Sequence, residues 1–433
     1  MDSHHNLAAG GGGRSEGFLS WFAERTRMSG CHVDRAPLTE LRGWAFDEAT
    51  GNLGHESGRF FVVEGLHVRT SYGAVREWSQ PIINQPEIGI LGLLVKMVDG
   101  VPHCLVQAKM EPGDLNTMQL SPIVQATRSN YAGVHRGSRV KYLEYFTRPP
   151  AGQVLVDDDL HVSDEHRWLS LPEIRRLLRI DGLVNTDTRT VLSCLPAFFF
   201  SDVGSALTEE GMAAALARSV NGQGTPHHGT VDVLSWFTSA KSRHELAVRR
   251  VPLRGLPGWR GPGEEITHED GRHFSIVGVT VRANHREAAE WDQPLLHPQG
   301  CGLVAFVVKN VDGVAHLLVH ARFQAGLLDA MEMGPTVQCN PENHPGGPPI
   351  FLDYVLGVSA ERILYDTVLA EEGGRFHHSQ NRYLLVEADE DFPLEVPVDF
   401  CWVTAHQLTT LLRHGYYVNV EARSLLTCLH SLW

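Results

Sequence analysis

The sequence is short of the features that most quickly assign a protein to a class, and each shortage removes an option. Of 433 residues only seven are cysteine (Cys31, Cys104, Cys194, Cys301, Cys339, Cys401 and Cys428), an odd number without a Cys-x-x-Cys pair. That excludes a complete disulfide framework and a zinc knuckle, and implies reduced, mostly buried thiols in a cytoplasmic protein. Long hydrophobic runs are missing: the stretch from Gly89 to Val98, with Lys96 inside it, is about half the length that crosses a bilayer. The opening MDSHHNLAAGGGGR has no basic start followed by an apolar core, so it does not read as a secretion signal. Residues 1–15 are expected to be a disordered leader.

Positive charge is scarce as well. Lys and Arg number 37 against 51 Asp and Glu, a formal net charge of −14, which argues against a nucleic-acid partner. A small phosphorylated ligand needs only a few converging cations. Histidine is abundant at 24, but no HExxH spacing occurs, and the doublets His4-His5, His227-His228 and His377-His378 lie in polar segments. No metal is expected. No GxGxxG follows a strand signal, so no dinucleotide cofactor is expected either.

What the chain does have is a resemblance to itself. The stretch beginning WSQPIINQPEIGILGLLVKMVDGV at Trp78 returns as WDQPLLHPQGCGLVAFVVKNVDGV at Trp291, an offset of 213 residues, with 20 identities in the 50 positions from Trp78 to Thr127. Chance does not give that, so the chain reads as two copies of one unit. Further matches extend the frame. FLSWF at Phe18 answers VLSWF at Val233, Gly43-Trp44 answers Gly258-Trp259, and LVNTDTRTVLSCL from Leu183 answers YVNVEARSLLTCL from Tyr417. The expected domains are 16–200 and 231–433, joined over 201–230 by a helix (SALTEEGMAAALARS) and a Gly- and Pro-bearing linker.

Within each unit strand and helix signals alternate, which gives an α+β class. Asp99-Gly100 between apolar runs marks a hairpin. Ser170 with Glu173, and Thr404 with Gln407, mark helix starts by capping boxes.

Polar residues are densest from Lys109 to Glu144: Lys109, Glu111, Gln119, Gln125, Arg128, Asn130, Tyr131, His135, Arg136, Tyr142 and Glu144. RSNYAGVHRG, from Arg128, reads either as a solvated polar loop or as a glycine-hinged site loop. In the second reading arginines grip phosphate, and Tyr131 or His135 moves protons. Tyr142 and Glu144, two apart on an apparent strand, would share one face. An inward Glu144 would then be either catalytic or paired with an arginine.

Trp78 and Gln80 recur as Trp291 and Gln293, and Gln125 recurs as Gln338, which suits packing as well as ligand contact. Glu111 becomes Gln324 and Asp114 becomes Leu327, while the Arg128 to Tyr131 segment becomes PENHPGGPP. Charge lost from a retained apolar frame points to a working site mainly in the first copy.

QPEIGILG, VQAKMEPGDLNTMQLSPIVQATRSNY and VKYLEYF, with the tandem arrangement, resemble the NDP-hexose 2,3-dehydratases of bacterial deoxysugar biosynthesis. The likeness covers nearly the whole chain after the leader. It implies a tandem of Nudix-like α/β sandwich units and a homodimer. It also implies a hydro-lyase that converts dTDP-4-keto-6-deoxy-D-glucose to dTDP-3,4-diketo-2,6-dideoxy-D-glucose without a cofactor, and coupling to an NADPH-dependent 3-ketoreductase. The metal-binding Nudix box, a glycine followed by REx2EE, occurs in neither copy. Two rival readings stay open: a Nudix-type nucleotide-sugar pyrophosphohydrolase, and a non-catalytic sugar-nucleotide binding protein.

Under the resemblance, Tyr131 or His135 takes the C3 proton and Glu111 or Glu144 is the acid toward the C2 hydroxyl. Lys109, Arg128 or Arg136 holds the diphosphate, and Trp78 or Tyr142 stacks on thymine. Gln80, Gln119, Gln125 and Asn130 complete the substrate contacts.

Overall fold

The computed structural model describes residues 14–116, 118–127, 140–147, 160, 162–195, 210–283, 289–343 and 346–432. Arg128, Asn130, Tyr131, His135 and Arg136 lie outside the described residues. The fold is α+β, with mostly antiparallel sheets and short helices. No helix among the described residues is long and apolar enough to cross a membrane. Cys104, Cys401 and Cys428 are buried, but Cys194 and Cys301 are exposed, so burial of the thiols is only partial.

Local signals act where the sequence places them. Asp99 and Gly100 take φ of 51° and 78°, the paired positive values that a two-residue mirror-image turn requires, and join strand Leu94–Val98 to Val101–Lys109. Asp312 and Gly313, at 50° and 81°, join Gly302–Val311 to Val314–Phe323 in the same way. Both capping boxes form. Ser170 opens helix Leu171–Leu177 with Glu173 reaching back, and Thr404 opens Ala405–Leu411 with Gln407. FLSWF and VLSWF each lie in a helix, Arg14–Ser29 and Thr230–Arg243. Between the halves, helix Met212–Asn221 ends on Gly222 at φ 67°.

The strand expected through Tyr142 and Glu144 does not form. Tyr142 sits at φ 62°, which turns the chain, and helix Glu144–Thr147 follows at once. Without an extended run there is no shared face. Tyr142 is buried edge-on against His166, with centroids 5.1 Å apart, while Glu144 is exposed. Phe351, at φ 67°, precedes helix Leu352–Gly357 in the same manner.

Among the described residues, two of the five sheets mix strands of the two halves. Strand His32–Ala36 leaves the first half to pair with Phe274–Arg282, in a five-stranded sheet otherwise made from the second half. Leu246–Val251 makes the reverse crossing and pairs with Val62–Thr70. The faces cross too. Val277, Val279, Val281 and Leu295 pack on Met110 and Met118 of the first half. Leu66 and Val68 pack into the core beneath the second half's seven-stranded sheet, with Val304, Phe306 and Val319.

Two tryptophans lock the exchange. Trp44 Nε1 donates to Asp292 O at 2.7 Å, and Trp259 Nε1 donates to Ser79 O at 2.8 Å. Arg42 adds a fork onto the Asp292 carboxylate at 2.7 and 3.0 Å, a geometry that holds orientation as well as charge. A strand that pairs across the halves has its backbone amides satisfied only when both halves are present.

Candidate active site

Lys109 ends strand Val101–Lys109, and the chain then turns through Glu111 to Asp114. The Lys109 ammonium lies 3.2 Å from Glu111 Oε1, and both side chains are nearly buried. Gln125 Nε2 donates to the same oxygen at 2.9 Å, and Gly374 N donates to Oε2 at 3.2 Å. Burying a carboxylate is tolerable only when its oxygens are met in this way. The geometry is that of an ionised acceptor. The turn closes on itself, with Glu111 N donating to Asp114 Oδ2 at 3.2 Å and Asp114 N donating to Glu111 O at 3.1 Å.

Gly374 belongs to the second half, and so do the other contacts on this turn. Gly113 N donates to Gly373 O at 2.7 Å, and His378 N donates to Gly113 O at 2.8 Å. The segment 371–379 connects strands Ile363–Ala370 and Gln380–Glu387, and it lies against the first half's turn. The approach is backbone to backbone. A Cβ on Gly113 would overlap Phe376 O, and a Cβ on Gly373 would overlap Asp114 Oδ1. Beside it a cavity of about 160 Å³ is lined by Glu111, Asp114, Leu115, Cys31, Val33 and His378.

Two carboxyls that the sequence reading missed join the cluster. Asp187 stands in the first turn of helix Thr186–Ser193, which Asn185 caps through Thr188 N. Burial, reinforced by Glu372 and Glu111, pushes Asp187 up to about 8. Burial also raises Glu372, against the pull of Arg375. A carboxyl held protonated near neutral pH can serve as an acid. Asp187 gave no signal because an acidic residue in a first helical turn is ordinary. Glu372 gave none because its segment, AEEGGR, has no match in the first half.

The helix bearing Asp187 is fixed by Arg189, whose side chain is fully buried. Its guanidinium donates to Val184 O at 2.6 Å, Ala370 O at 2.9 Å and Ser424 Oγ at 3.2 Å, which ties helix Val420–Leu429 and the 370s segment to the same point.

Of the residues singled out by sequence, Lys109, Glu111 and Gln125 come together. Gln119 is 1 % exposed and pairs across the strand with Lys109. Trp78 and Gln80 go elsewhere. Trp78 Nε1 donates to Gln80 Oε1 at 2.8 Å, and its ring meets Phe323 of the second half at 6.3 Å. Their counterparts stand by the cluster instead: Trp291 packs with Met110 and Met118, and Gln293 Nε2 donates to Gly374 O at 2.9 Å. Tyr142 and Glu144 do not reach Glu111 by any contact described above.

The second half holds a larger cavity of about 230 Å³, lined by His273, Arg322, Gln338, Asn340, Asn381 and Glu421 among others. Burial, then Glu371, pushes Glu421 up to about 7. Arg322, Gln338 and Glu421 occupy the positions matched to Lys109, Gln125 and Asp187, but Gln324 stands where the first half has Glu111. Size favours this cavity and chemistry favours the smaller one, whose lining carboxyls Glu111 and Asp114 correspond to Gln324 and Leu327 in the second half.

A family model described as NDP-hexose 2,3-dehydratase matches residues 15–160, 154–195 and 230–429. The chain is 45 % identical over 445 residues to a dTDP-4-dehydro-6-deoxy-alpha-D-glucopyranose 2,3-dehydratase of Saccharopolyspora spinosa, covering 96 % of this chain and 91 % of that protein. It is 46 % identical to the protein of the same description from Streptomyces violaceoruber, covering 96 % and 97 %. With that of Amycolatopsis orientalis the figures are 44 %, 96 % and 90 %. Among solved structures, an ADP compounds hydrolase aligns over 37 % of this chain and 87 % of its own, at 16 % identity and a TM-score of 0.25, too low to carry an argument.

Proposed function

This chain belongs to the NDP-hexose 2,3-dehydratase family, and we propose that its site for the family's reaction is the polar cluster around Glu111. The reaction is loss of water across C2–C3 of dTDP-4-keto-6-deoxy-D-glucose, giving dTDP-3,4-diketo-2,6-dideoxy-D-glucose. The C4 ketone acidifies the C3 proton. A base removes it, and positive charge at the developing O4 enolate lowers the barrier. The C2 hydroxyl, β to the ketone, then leaves as water. The resulting enol becomes the C3 ketone on protonation at C2.

The observation that carries this reading is the buried Lys109–Glu111 pair, held by Gln125 and by Gly374 of the other half. Lys109 supplies cationic charge for the enolate. Tyr131 or His135 takes the C3 proton, and Arg128 or Arg136 holds the diphosphate, as the family resemblance implies. With Trp78 and Gln80 placed on the second half's core, Trp291 and Gln293 take over the contacts given to them.

We read the halves as copies of one Nudix-like unit, 16–200 and 231–433, on the strength of the 213-residue offset. The same reading carries a cytoplasmic homodimer that passes its product to an NADPH-dependent 3-ketoreductase.

Incubation with dTDP-4-keto-6-deoxy-D-glucose in D₂O, followed by NMR and mass spectrometry, should show loss of water with deuterium at C2 and no release of dTMP. Glu111→Gln and Lys109→Met should each abolish it. Normal turnover in both variants would place the site elsewhere, and release of dTMP would make the chain a hydrolase.

A further inference from the structure

The acid that protonates the departing C2 hydroxyl is still to be identified. Glu111 is occupied as an acceptor by Lys109, Gln125 and Gly374, and Glu144 is exposed on its own helix. Asp187 and Glu372 differ from both. Neither side chain makes a hydrogen bond or ion pair among the described residues. Glu371, next in the chain to Glu372, shows the contrast: its carboxylate accepts from Asn381 at 2.6 Å, Tyr383 at 2.8 Å and Thr186 at 3.3 Å, a structural tie. Thr186, next to Asp187, donates to Ala370 O at 3.1 Å as well as to Glu371, which sets the start of the Asp187 helix against the segment that bears Glu372. Gly374 sets the spacing to Glu111. A Cβ there would lie 3.3 Å from Glu372 Oε1 and 3.5 Å from Glu111 Oε1, so the two oxygens look onto the same glycine.

A second observation points to a ligand at this place. Gln119 is 1 % exposed, and neither its Oε1 nor its Nε2 has a partner among the described residues. It stands directly opposite Lys109 in antiparallel register, so the two side chains share a face. A buried amide left open beside the Lys109 ammonium is completed by a polar group brought in from outside.

We propose that Asp187 of the first half and Glu372 of the second form the proton-carrying pair that protonates the C2 hydroxyl as it leaves, so that Glu372 is a catalytic residue supplied across the halves. The carboxylic O–H bond breaks as the C2–O bond breaks. The proton joins the hydroxyl oxygen, water departs, and the enolate electron pair becomes the C2–C3 π bond. The C3 base, its proton exchanged with solvent, then protonates C2, and the enol O–H proton reloads the carboxylate. The charges around the pair agree with this role. Burial, Glu372 and Glu111 favour the protonated form of Asp187, against Lys109 and Arg189; burial, Glu111 and Glu371 favour that of Glu372, against Arg375 and Lys109.

The proposal rests on the Glu111 cluster being the dehydratase site, and the test separates the two. In D₂O with dTDP-4-keto-6-deoxy-D-glucose, Glu372→Gln and Asp187→Asn should lower water loss by about 10²- to 10⁴-fold, while exchange of the C3 hydrogen for deuterium continues. Glu372→Asp should recover part of the loss. Asp187→Asn should also move the basic limb of the residual kcat/KM profile to lower pH, because Glu372 is relieved of a like-charged neighbour. Wild-type turnover and an unshifted profile in the Asp187 and Glu372 variants, with Glu111→Gln inactive, would overturn this pair alone. Silence of all the variants would overturn the site as well. If the amide variants fail to fold, Glu372→Asp decides: a displaced basic limb supports the pair, and an unchanged one refutes it.

Discussion

Gly113→Ala is the sharpest test of the contact between the halves. The new methyl group would overlap Phe376 O and lie 2.7 Å from Gly373 O, both backbone atoms that cannot rotate away. To restore ordinary contact the 373–376 segment must retreat by more than about 1 Å, a displacement that in an active site costs on the order of 10² in rate. Three hydrogen bonds cross the gap: Gly113 N to Gly373 O, His378 N to Gly113 O, and Gly374 N to the Glu111 carboxylate. At about 1 kcal/mol for each neutral bond and about 2 kcal/mol for the charge-assisted one, their loss amounts to about 4 kcal/mol. Gly357→Ala is the control, since nothing lies within 4 Å of its Cβ position. The assay is turnover of the 4-keto sugar nucleotide, with thermal unfolding of both variants measured alongside. Gly113→Ala should fall about 100-fold in kcat and melt lower, while Gly357→Ala matches the wild type. A Gly113→Ala enzyme with wild-type kcat and melting temperature would mean that the second half does not shape this site.

Asp187 has its folded pKa raised above its unfolded value, so its favourable contribution is complete at acid pH and is lost as pH rises from about 4 to about 8. Asp187→Asn removes that dependence. Its stability relative to wild type, followed by urea unfolding, should grow with pH at no more than about 1.4 kcal/mol per unit; a constant difference across that window would refute the shift. Arg189→Met takes the side-chain donor from Val184 O and one of two from Ala370 O, which keeps Thr186 Oγ1, and should destabilise the fold by about 2–4 kcal/mol in the same assay, against no change if the guanidinium is dispensable. Gln293→Ala removes one of the two side-chain donors to Gly374 O, Arg375 being the other, and should lower kcat about tenfold, whereas Gln80→Ala should leave kcat within about twofold. The reverse ranking would assign the two glutamines the other way round.

What could be read in the sequence was what short-range chemistry determines. Asp99-Gly100 forms its turn because few dipeptides accept two positive φ values, and Ser170 and Thr404 cap their helices with residues three positions on. Lys109, Glu111 and Gln125 lie within one stretch of chain, so their convergence could be anticipated. Tyr142 misled because an alternating pattern does not reveal a left-handed residue, and φ of 62° at a tyrosine is set by tertiary packing around His166. The position of Trp78, away from the Glu111 cluster, was not legible for a deeper reason. Pairing of His32–Ala36 with Phe274–Arg282 joins positions more than 240 residues apart, and nothing local in either strand states its partner. Asp187 and Glu372 are likewise ordinary in their own segments and become distinctive only when a helix start and a glycine turn from opposite halves meet.

On the proposed reading of the halves as copies of one unit, the crossing also gives a physical reason for a second half that keeps the apolar frame without the charges. Gln324 and Leu327 stand where the first half has Glu111 and Asp114, and this removes the carboxylate around which the first site is organised. Had the halves been independent, such a unit could lose its packing residues as freely as its charges. Here it cannot. Val277, Val279 and Val281 form the surface against Met110 and Met118, Asp292 anchors Arg42 and Trp44, and Gly373-Gly374 places an amide on Glu111. Each of those residues lies in the second half and acts on the first. The requirement falls on apolar faces, on Gly373, which has no room for a Cβ, and on a few hydrogen-bonding groups. It does not fall on Gln324, whose side chain has no such partner across the halves among the described residues. The pattern of retained apolar positions with relaxed charge therefore follows from one half serving as a wall of the other's site, whether or not the second cavity has chemistry of its own.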